Sequence, residues 1–505
     1  MRGFDPKTLA RDVPASIVVF LVALPLCMGI AIASGVPPEK GLLTGIVGGV
    51  LVGALAGSPL QVSGPAAGLA VLVFEIVREH GLASLAPVML LAGLLQLGAG
   101  FLRLGQWFRA ISPAVVHGML AGIGVLIVAA QVHVLLDARP QPSGIANMAA
   151  IPTAFLGLLP RDGSADEAAL MVGALTIATM LAWDRLRPSA LRLVPGALVG
   201  VMAGAAATAA LALPVKRVQV PDHIWNSVAT PGWPDLLRLG EPAIILAAVA
   251  LAFIASAETL LSASAVDKMH DGPRTAYNRE LAAQGAGNIV CALIGALPMT
   301  GVIVRSSANV QAGAVTRLSA VLHGIWLLGL IVLLPGLLRA VPMASLGGVL
   351  VVVGLRLVSV SHARHLFRHY GPLPLAIWAA TLLTVISVDL LTGVLVGLAL
   401  TLLDVLPHLR RPGLAIRQRR KASGGVGLTL VGSATFLHLP RLLRALDAVP
   451  GGADLHLRAR LSHVDHTCLE AISDWIDRRR RTGVEVTVDE ADTRLSSKLT
   501  LPKAA

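Results

Sequence analysis

Long apolar runs free of charged residues follow one another along most of this chain, separated by short polar connections. The first extends from Val13 to Pro38, and others lie at 41–74, 81–102, 110–136, 168–182, 193–215, 242–257, 281–304, 318–338, 340–355, 370–388 and 390–403. A helix needs roughly 20 apolar residues to cross a bilayer, and fewer if it is broken or re-entrant. The run 41–74 is long enough for two helices and is interrupted at Gly57-Ser58-Pro59. The run 281–304 is cut at Leu297-Pro298-Met299-Thr300-Gly301, with a short helix continuing to near Gly313. Counting halves, the pattern predicts about fourteen spans. The first run is too long for the apolar region of a signal peptide and lacks a cleavage site.

After residue 421 the period changes. GVGLTLV (425–431), DLHLRARL (454–461) and VEVTV (484–488) alternate as strands do, and 435–447 and 466–481 read as helices, the second with Leu469, Ile472, Trp475 and Ile476 on one face. The expected organisation is a membrane domain over 1–409, a basic linker over 410–424, a small α/β domain over 425–490 and a tail over 491–505.

Composition agrees with the pattern. Of 505 residues, 55% are hydrophobic and 14% charged, whereas a soluble domain carries about 25% charged residues. The 51 Gly and 31 Pro sit inside apolar runs, as transmembrane helices tolerate. Cys27, Cys291 and Cys468 are scattered, which excludes a disulfide framework or zinc ribbon. The class is a polytopic helical membrane protein.

The net charge of +12 raises nucleic acid as a partner, but its distribution argues against one. Residues 410–505 hold 17 Lys/Arg and 10 Asp/Glu, with Arg410, Arg411, Arg417, Arg419, Arg420 and Lys421 clustered just after the last apolar run. Cytoplasmic juxtamembrane segments place positive charge there. With a cytoplasmic N-terminus, the connections on that side carry 12 Lys/Arg against eight opposite. That is the sign the positive-inside rule requires, and an even number of spans returns the C-terminus to the same side. The expected location is a bacterial inner membrane.

A repeat is visible. Residues 92–126 and 323–355 each hold an apolar helix, Arg-Ala (Arg109-Ala110, Arg339-Ala340), a Pro (Pro113, Pro342) and a Gly-containing helix. The Pro/Gly breaks at Pro59–Pro65 and Pro298–Gly301 match at a similar offset. Seven spans per half, over about 13–213 and 241–409, make the repeats inverted. Interrupted helices at equivalent positions of two halves point to a transporter's substrate site.

The first break reads Gln61-Val62-Ser63-Gly64-Pro65-Ala66-Ala67-Gly68, and the second Met299-Thr300-Gly301-Val302-Ile303-Val304-Arg305. A helix that starts in mid-membrane presents unpaired N–H donors and a positive dipole end, ready for an anion. Two such ends facing each other form an anion site without a charged side chain. Ser63, Gly64, Pro65, Ala66, Ala67, Gly68, Thr300, Gly301 and Val302 are the candidates, and Arg305 adds a full positive charge unless it pairs with a carboxylate. Glu258 and Ser262 lie four apart on one helix face. Glu258 can carry a coupling proton, or the two can help ligate Na⁺. Gln284, Asn288, Asn309 and Gln311 read as hydrogen-bonding pins, His117, His133 and His323 as packing residues, and Asp389 and Asp404 as helix-end residues. No nucleophile motif, Walker loop, metal cluster or cofactor motif is present in the sequence.

With these residues in hand, the chain resembles the SulP anion permeases, bacterial relatives of the SLC26 transporters. The resemblance rests on ALPLCMGIAIASGVPP (23–38), GSPLQVSGPAAG (57–68), ETLLSASAVDK (258–268), LPMTGVIVRSSANVQAGA (297–314) and a C-terminal segment similar to the STAS fold. It implies a seven-plus-seven inverted repeat split into core and gate, a homodimer, and transport of sulfate, bicarbonate, chloride, oxalate or dicarboxylates by elevator-like motion, driven by H⁺ or Na⁺. The family's anion site between its third and tenth helices maps onto Ser63–Gly68 and Thr300–Arg305, and its acidic residue in the eighth onto Glu258. The chain departs from the family at Leu26, where many members carry Gln. It also has Ala66, Ala67 and Ala70 in place of hydroxyls, and Val302 and Val304 in place of serines. Thr467 lies near the serine phosphorylated in related domains, and beside Asp465 it implies a regulatory or scaffolding role more than a phospho-switch. A nucleobase permease of the same architecture, an uncoupled anion channel and a membrane scaffold are the competing readings.

Overall fold

The computed structural model describes residues 6–105, 112–141, 143–157, 164–191, 193–221, 223–270, 272–406, 414–420, 426–435, 438–450, 454–481, 484 and 486–488. Among the described residues, seven helices of at least 18 residues are apolar enough to cross a membrane, and five shorter apolar helices accompany them. The chain divides into two compact units, one from 1–105, 120–358 and 385–391, the other from 106–119, 359–384 and 392–505.

In the first half, α1 spans Pro6–Ala33 and carries Pro14 and Pro25 within it. Helix α2 (Pro38–Val47) has Pro at its first turn, and continues through a π-helical turn, Gly48–Val52, to Leu55. The chain then leaves helical geometry. It runs as β1 (Ser63–Pro65) before α3 (Ala67–His80) begins. Next come α4 (Leu85–Phe101), α5 (Pro113–Leu135), α6 (Gly144–Leu156), α7 (Ala165–Leu186) and α8 (Gly196–Ala210).

The second half repeats this order with α9 (Pro242–Asp267), α10 (Tyr277–Leu293), β2 (Met299–Gly301), α11 (Ile303–Gln311), α12 (Leu318–Leu333) and α13 (Met343–Leu357). After them come α14 (Val360–Tyr370), α15 (Pro372–Ser387) and α16 (Leu390–Val405). Helices α6 and α14 lie outside the apolar runs. Ser143 caps α6 by accepting from the Ala146 N–H at 3.2 Å, and Ser359 caps α14 by accepting from His362 N–H at 3.3 Å. Asp389 immediately precedes α16 and Asp404 lies in its last turn, as expected for helix-end carboxylates.

Small residues let the helices approach closely. A Cβ at Gly93 would stand 2.8 Å from the Gly285 carbonyl oxygen, so the backbones of α4 and α10 touch. Membrane helices pack this way because lipid supplies no hydrophobic force between them.

The second unit holds a four-stranded sheet in the order β3 (Ala415–Arg420), β4 (Val426–Ala434), β5 (Leu455–Val464), β6 (Val486–Val488). β3 is antiparallel to β4, and the other pairings are parallel, with α17 (Leu439–Asp447) and α18 (His466–Arg481) as the crossovers. Leu428, Leu430, Leu442, Leu446, Leu457, Ile472 and Trp475 form its core. The strands and helices expected here are present, but residues 415–420, read above as basic linker, form an edge strand. Ile416 is half-buried while Arg417 and Arg419 face outward. Alternating charge on a strand's solvent face imitates a basic cluster. Asp465 caps α18 by accepting from Cys468 N–H at 2.8 Å, and the neighbouring Thr467 hydroxyl is buried without a partner.

Candidate functional site

The two helix breaks meet. β1 and β2 pair antiparallel, Ser63 opposite Gly301, Gly64 opposite Thr300 and Pro65 opposite Met299, and Val302 N–H extends the ladder to the Val62 carbonyl at 2.9 Å. Each strand runs directly into a helix. Ala66 stands at the N-cap of α3 and Val302 at that of α11, both extended, and no side chain caps either helix. The first-turn N–H groups, including those of Ala67 and Gly68, are therefore available to an external acceptor. Antiparallel pairing puts the two helix starts at opposite ends of one short ribbon, with both positive dipole ends turned toward it.

Buried side chains hold the ribbon together. Thr259 Oγ1 accepts from Gly301 N–H at 3.1 Å, and its carbonyl accepts from Gln61 Nε2 at 3.3 Å. Ser306 Oγ accepts from Val62 N–H at 2.9 Å, and Asn309 Nδ2 donates to the Leu60 carbonyl at 3.0 Å. Asn288 brackets Met299, accepting from its N–H at 2.8 Å and donating to its carbonyl at 3.3 Å. Gln284 Nε2 reaches Ser63 Oγ at 2.5 Å and Glu280 Oε1 at 3.0 Å, and Glu280 Oε2 accepts from Ser58 N–H at 2.9 Å. Irregular backbone at membrane depth survives only when its polar groups are satisfied in this way.

Gln284, Asn288 and Asn309 thus act as pins. Gln311 does not, being exposed. Gln61, Thr259, Glu280 and Ser306 were not singled out in the sequence; for Glu280 the signal available was an acid four residues before Gln284, one helical turn away. His133 and His323 are buried, each ring bonded to a carbonyl of its own helix. His117 is not isolated, for its ring lies 3.5 Å from that of His362.

Arg305 lies in the first turn of α11 and is fully buried. Its Nη2 donates to the Pro65 carbonyl at 3.3 Å, while Nε and Nη1 have no partner. A Cβ at Gly64 would collide with Arg305 Nη1, so the guanidinium would have to move to admit one. Among the described residues, no ion pair joins Arg305 to Glu258. The Glu258 carboxylate lies against Gly68 instead, and its Oε2 has no hydrogen-bond partner. Ser262, one turn along α9, is buried with an unpartnered hydroxyl. It makes no hydrogen bond to Glu258 or to either strand. Thr300 is buried on β2. Val304 is 46% exposed and opens onto a chamber of about 320 Å³ lined also by Val18, Val22, Leu26, Ser307 and Arg356.

Broken helices whose starts meet across a short ribbon beside a buried cation are the arrangement that membrane transporters place at a substrate site. The Sulfate permease family model matches residues 9–381, and the chain belongs to that family. It is 29% identical over 409 residues to "Putative sulfate transporter YvdB" of Bacillus subtilis (strain 168), covering 79% of this chain and 74% of that one. It is 26% identical over 408 residues to "Bicarbonate transporter BicA" of Picosynechococcus sp., covering 77% and 69%. Among solved structures, the transmembrane domain of a cyanobacterium bicarbonate transporter BicA superposes with a TM-score of 0.66 at 22% identity, over 77% of this chain and 98% of that one. The overall structure of SLC26A9 does so with 0.69 at 16% identity, over 98% and 86%. These relatives are transporters, not enzymes.

Proposed function

We propose that this chain is a secondary active transporter that moves a small anion (bicarbonate, sulfate or a dicarboxylate) across the bacterial inner membrane by proton-coupled symport. One observation carries the reading. The uncapped starts of α3 and α11, joined by a single ribbon, enclose a buried Arg305 with two unused donors. An oxyanion supplies the acceptors this arrangement lacks. The names of the relatives in Bacillus and Picosynechococcus agree with sulfate or bicarbonate as cargo.

Glu258 is the proposed coupling group. Its carboxylate touches the first turn of α3, so its charge and an anion's charge are felt in one small volume. The unpartnered Ser262 hydroxyl beside it keeps Na⁺ coupling as the second reading. The remaining elements are fourteen spans in a seven-plus-seven inverted repeat, elevator-type alternating access, a homodimer, cytoplasmic termini and a STAS-type identity for the C-terminal sheet.

Uptake into proteoliposomes under an inward proton gradient without Na⁺, offering labelled sulfate, bicarbonate and fumarate in turn, tests this. Concentrative uptake of one of them, lost in Glu258→Gln, supports proton symport. Uptake that waits for Na⁺ assigns Glu258 and Ser262 to a cation site. Flux that survives as pure conductance indicates a channel, and no flux under either condition favours a scaffold.

A further inference from the structure

Helix α14 is tied to the membrane at both ends. Two residues separate its start at Val360 from the end of α13 at Leu357, and Gly371 alone separates its end from α15. Both neighbours are apolar membrane-type helices. Links this short reach about 11 Å at most, so α14 is held where the apolar layer gives way to water.

Its side chains are sorted accordingly. At about 3.6 residues per turn, the order round the helix is Leu366, Ala363, then Val360 and Phe367 in line, then Arg364, then Arg368. Leu366 and Ala363 are buried, and the half-buried His362 ring beside them stacks on His117 of α5. Val360 and Phe367 are 61% and 53% exposed, yet they continue the apolar face up to the edge of the cationic one. A helix facing only water gains nothing from such an apolar margin, whereas a helix lying in a lipid interface buries it.

The charge is equally one-sided. No Asp or Glu occurs between Glu280 and Asp389. Arg356, at the end of α13, is held by Asp184 at 2.6 Å. Arg364 and Arg368 are exposed, and among the described residues neither makes a hydrogen bond or an ion pair. Two planar guanidinium groups one turn apart, each able to grip a phosphate through two donors, thus stand beside an exposed apolar margin at the membrane boundary.

We propose that the outer face of α14 is a binding site for anionic phospholipid, with Phe367 and Val360 entering the acyl boundary and Arg364 and Arg368 holding headgroup phosphates. The site is separate from the starts of α3 and α11. It rests on the chain's spanning the membrane and is independent of which anion is carried.

Cys27, Cys291 and Cys468 are buried, so probes can be directed to Phe367→Cys and, on the polar face, Ser361→Cys in the full chain in nanodiscs. A nitroxide at 367 should be relaxed by oxygen and shielded from a water-soluble nickel chelate, and one at 361 should show the reverse. A label at 367 shielded from both reagents would mean that protein covers the face, and one open to nickel would mean that water does; either overturns the proposal. With a donor dye on Ser361→Cys, energy transfer to acyl-labelled phosphatidylglycerol should exceed transfer to phosphatidylcholine carrying the same label. Arg364→Gln and Arg368→Gln, at exposed positions, should each lower that preference about fivefold without moving thermal unfolding. An unchanged preference in both variants would overturn the proposal. Loss of the preference to inorganic phosphate at matched ionic strength would make this a site for free anions and overturn it equally.

Discussion

The Glu258 carboxylate rests on the backbone of Gly68: a Cβ added there would stand 2.6 Å from Oε2 and 2.7 Å from Oε1. Gly68 belongs to the first turn of α3, so the one acid of α9 that faces this region is in van der Waals contact with a proposed anion-binding helix start. Protonation at Glu258 and occupancy at that start are thereby placed within one contact of each other.

Gly68→Ala should consequently disturb both. Overpacking of this kind costs about 1–3 kcal/mol, and the displaced carboxylate should leave gradient-driven uptake slower than wild type at matched protein levels. Thermal unfolding in detergent and initial uptake rates check the two effects separately, and an alanine protein with wild-type rates would dissociate Glu258 from α3.

Glu258→Gln keeps shape and removes the charge. Accumulation against a gradient is expected to be lost while exchange of labelled for unlabelled anion continues. Counterflow and net uptake measured on one batch of vesicles separate these. Intact accumulation would remove Glu258 from coupling.

Arg305→Lys keeps the charge but loses the planar fork that reaches the Pro65 carbonyl while leaving two donors spare. Arginine and lysine are not interchangeable at such a position. The KM for anion should rise about tenfold, the scale of one hydrogen bond to a charged group, with expression unchanged. A wild-type KM in the lysine variant would mean that charge alone matters.

Gln284→Leu tests the scaffold. It strips Ser63 Oγ and Glu280 Oε1 of a shared donor in a buried setting. Each buried group left unsatisfied costs about 1–3 kcal/mol. Denaturant melts in mixed micelles should show a clear loss of stability, larger than that of a leucine placed at the exposed Gln311.

In the C-terminal sheet domain, burial holds the His438 imidazole below its ordinary pKa, and the nearby Arg441 adds to this. The neutral ring also lies 3.0 Å from Thr435 Oγ1 and accepts from Thr435 N–H at 3.4 Å. The unfolded state therefore binds the proton more readily, so this contribution to stability is complete above the unfolded pKa of about 6.5 and fades as pH falls. Protection factors of α17 amides, corrected for the base-catalysed intrinsic exchange rate, should fall between pH 7.5 and 5.5 in wild type and stay level in His438→Gln.

Much of the architecture was legible because lipid imposes a coarse rule: apolar run length marks helices, and Pro or Gly inside a run marks a break. Both breaks fall where Pro59–Pro65 and Pro298–Gly301 placed them. The two three-residue strands were not legible, since each exists only because of a partner more than 230 residues away and no local period announces it. Helix α14 escaped notice because its sequence, VSHARHLFRHY, is amphipathic and charged. Helix α6 follows a polar turn and is too short to register as a span. Arg305 and Glu258 stood out as charges in apolar surroundings, but their separation did not. Only the packing shows one turned to a carbonyl and the other to a glycine.

The ribbon also sets a condition on how the chain is made. Ser63–Pro65 leaves the ribosome well before Met299–Gly301, and at roughly 5–20 residues per second that interval is about 10–50 s. Throughout it the first break must wait in or beside the bilayer with its ladder groups unpaired. The newborn first half is thus the vulnerable species in biogenesis, the one most in need of an insertase or a membrane chaperone to shelter it until its other half arrives.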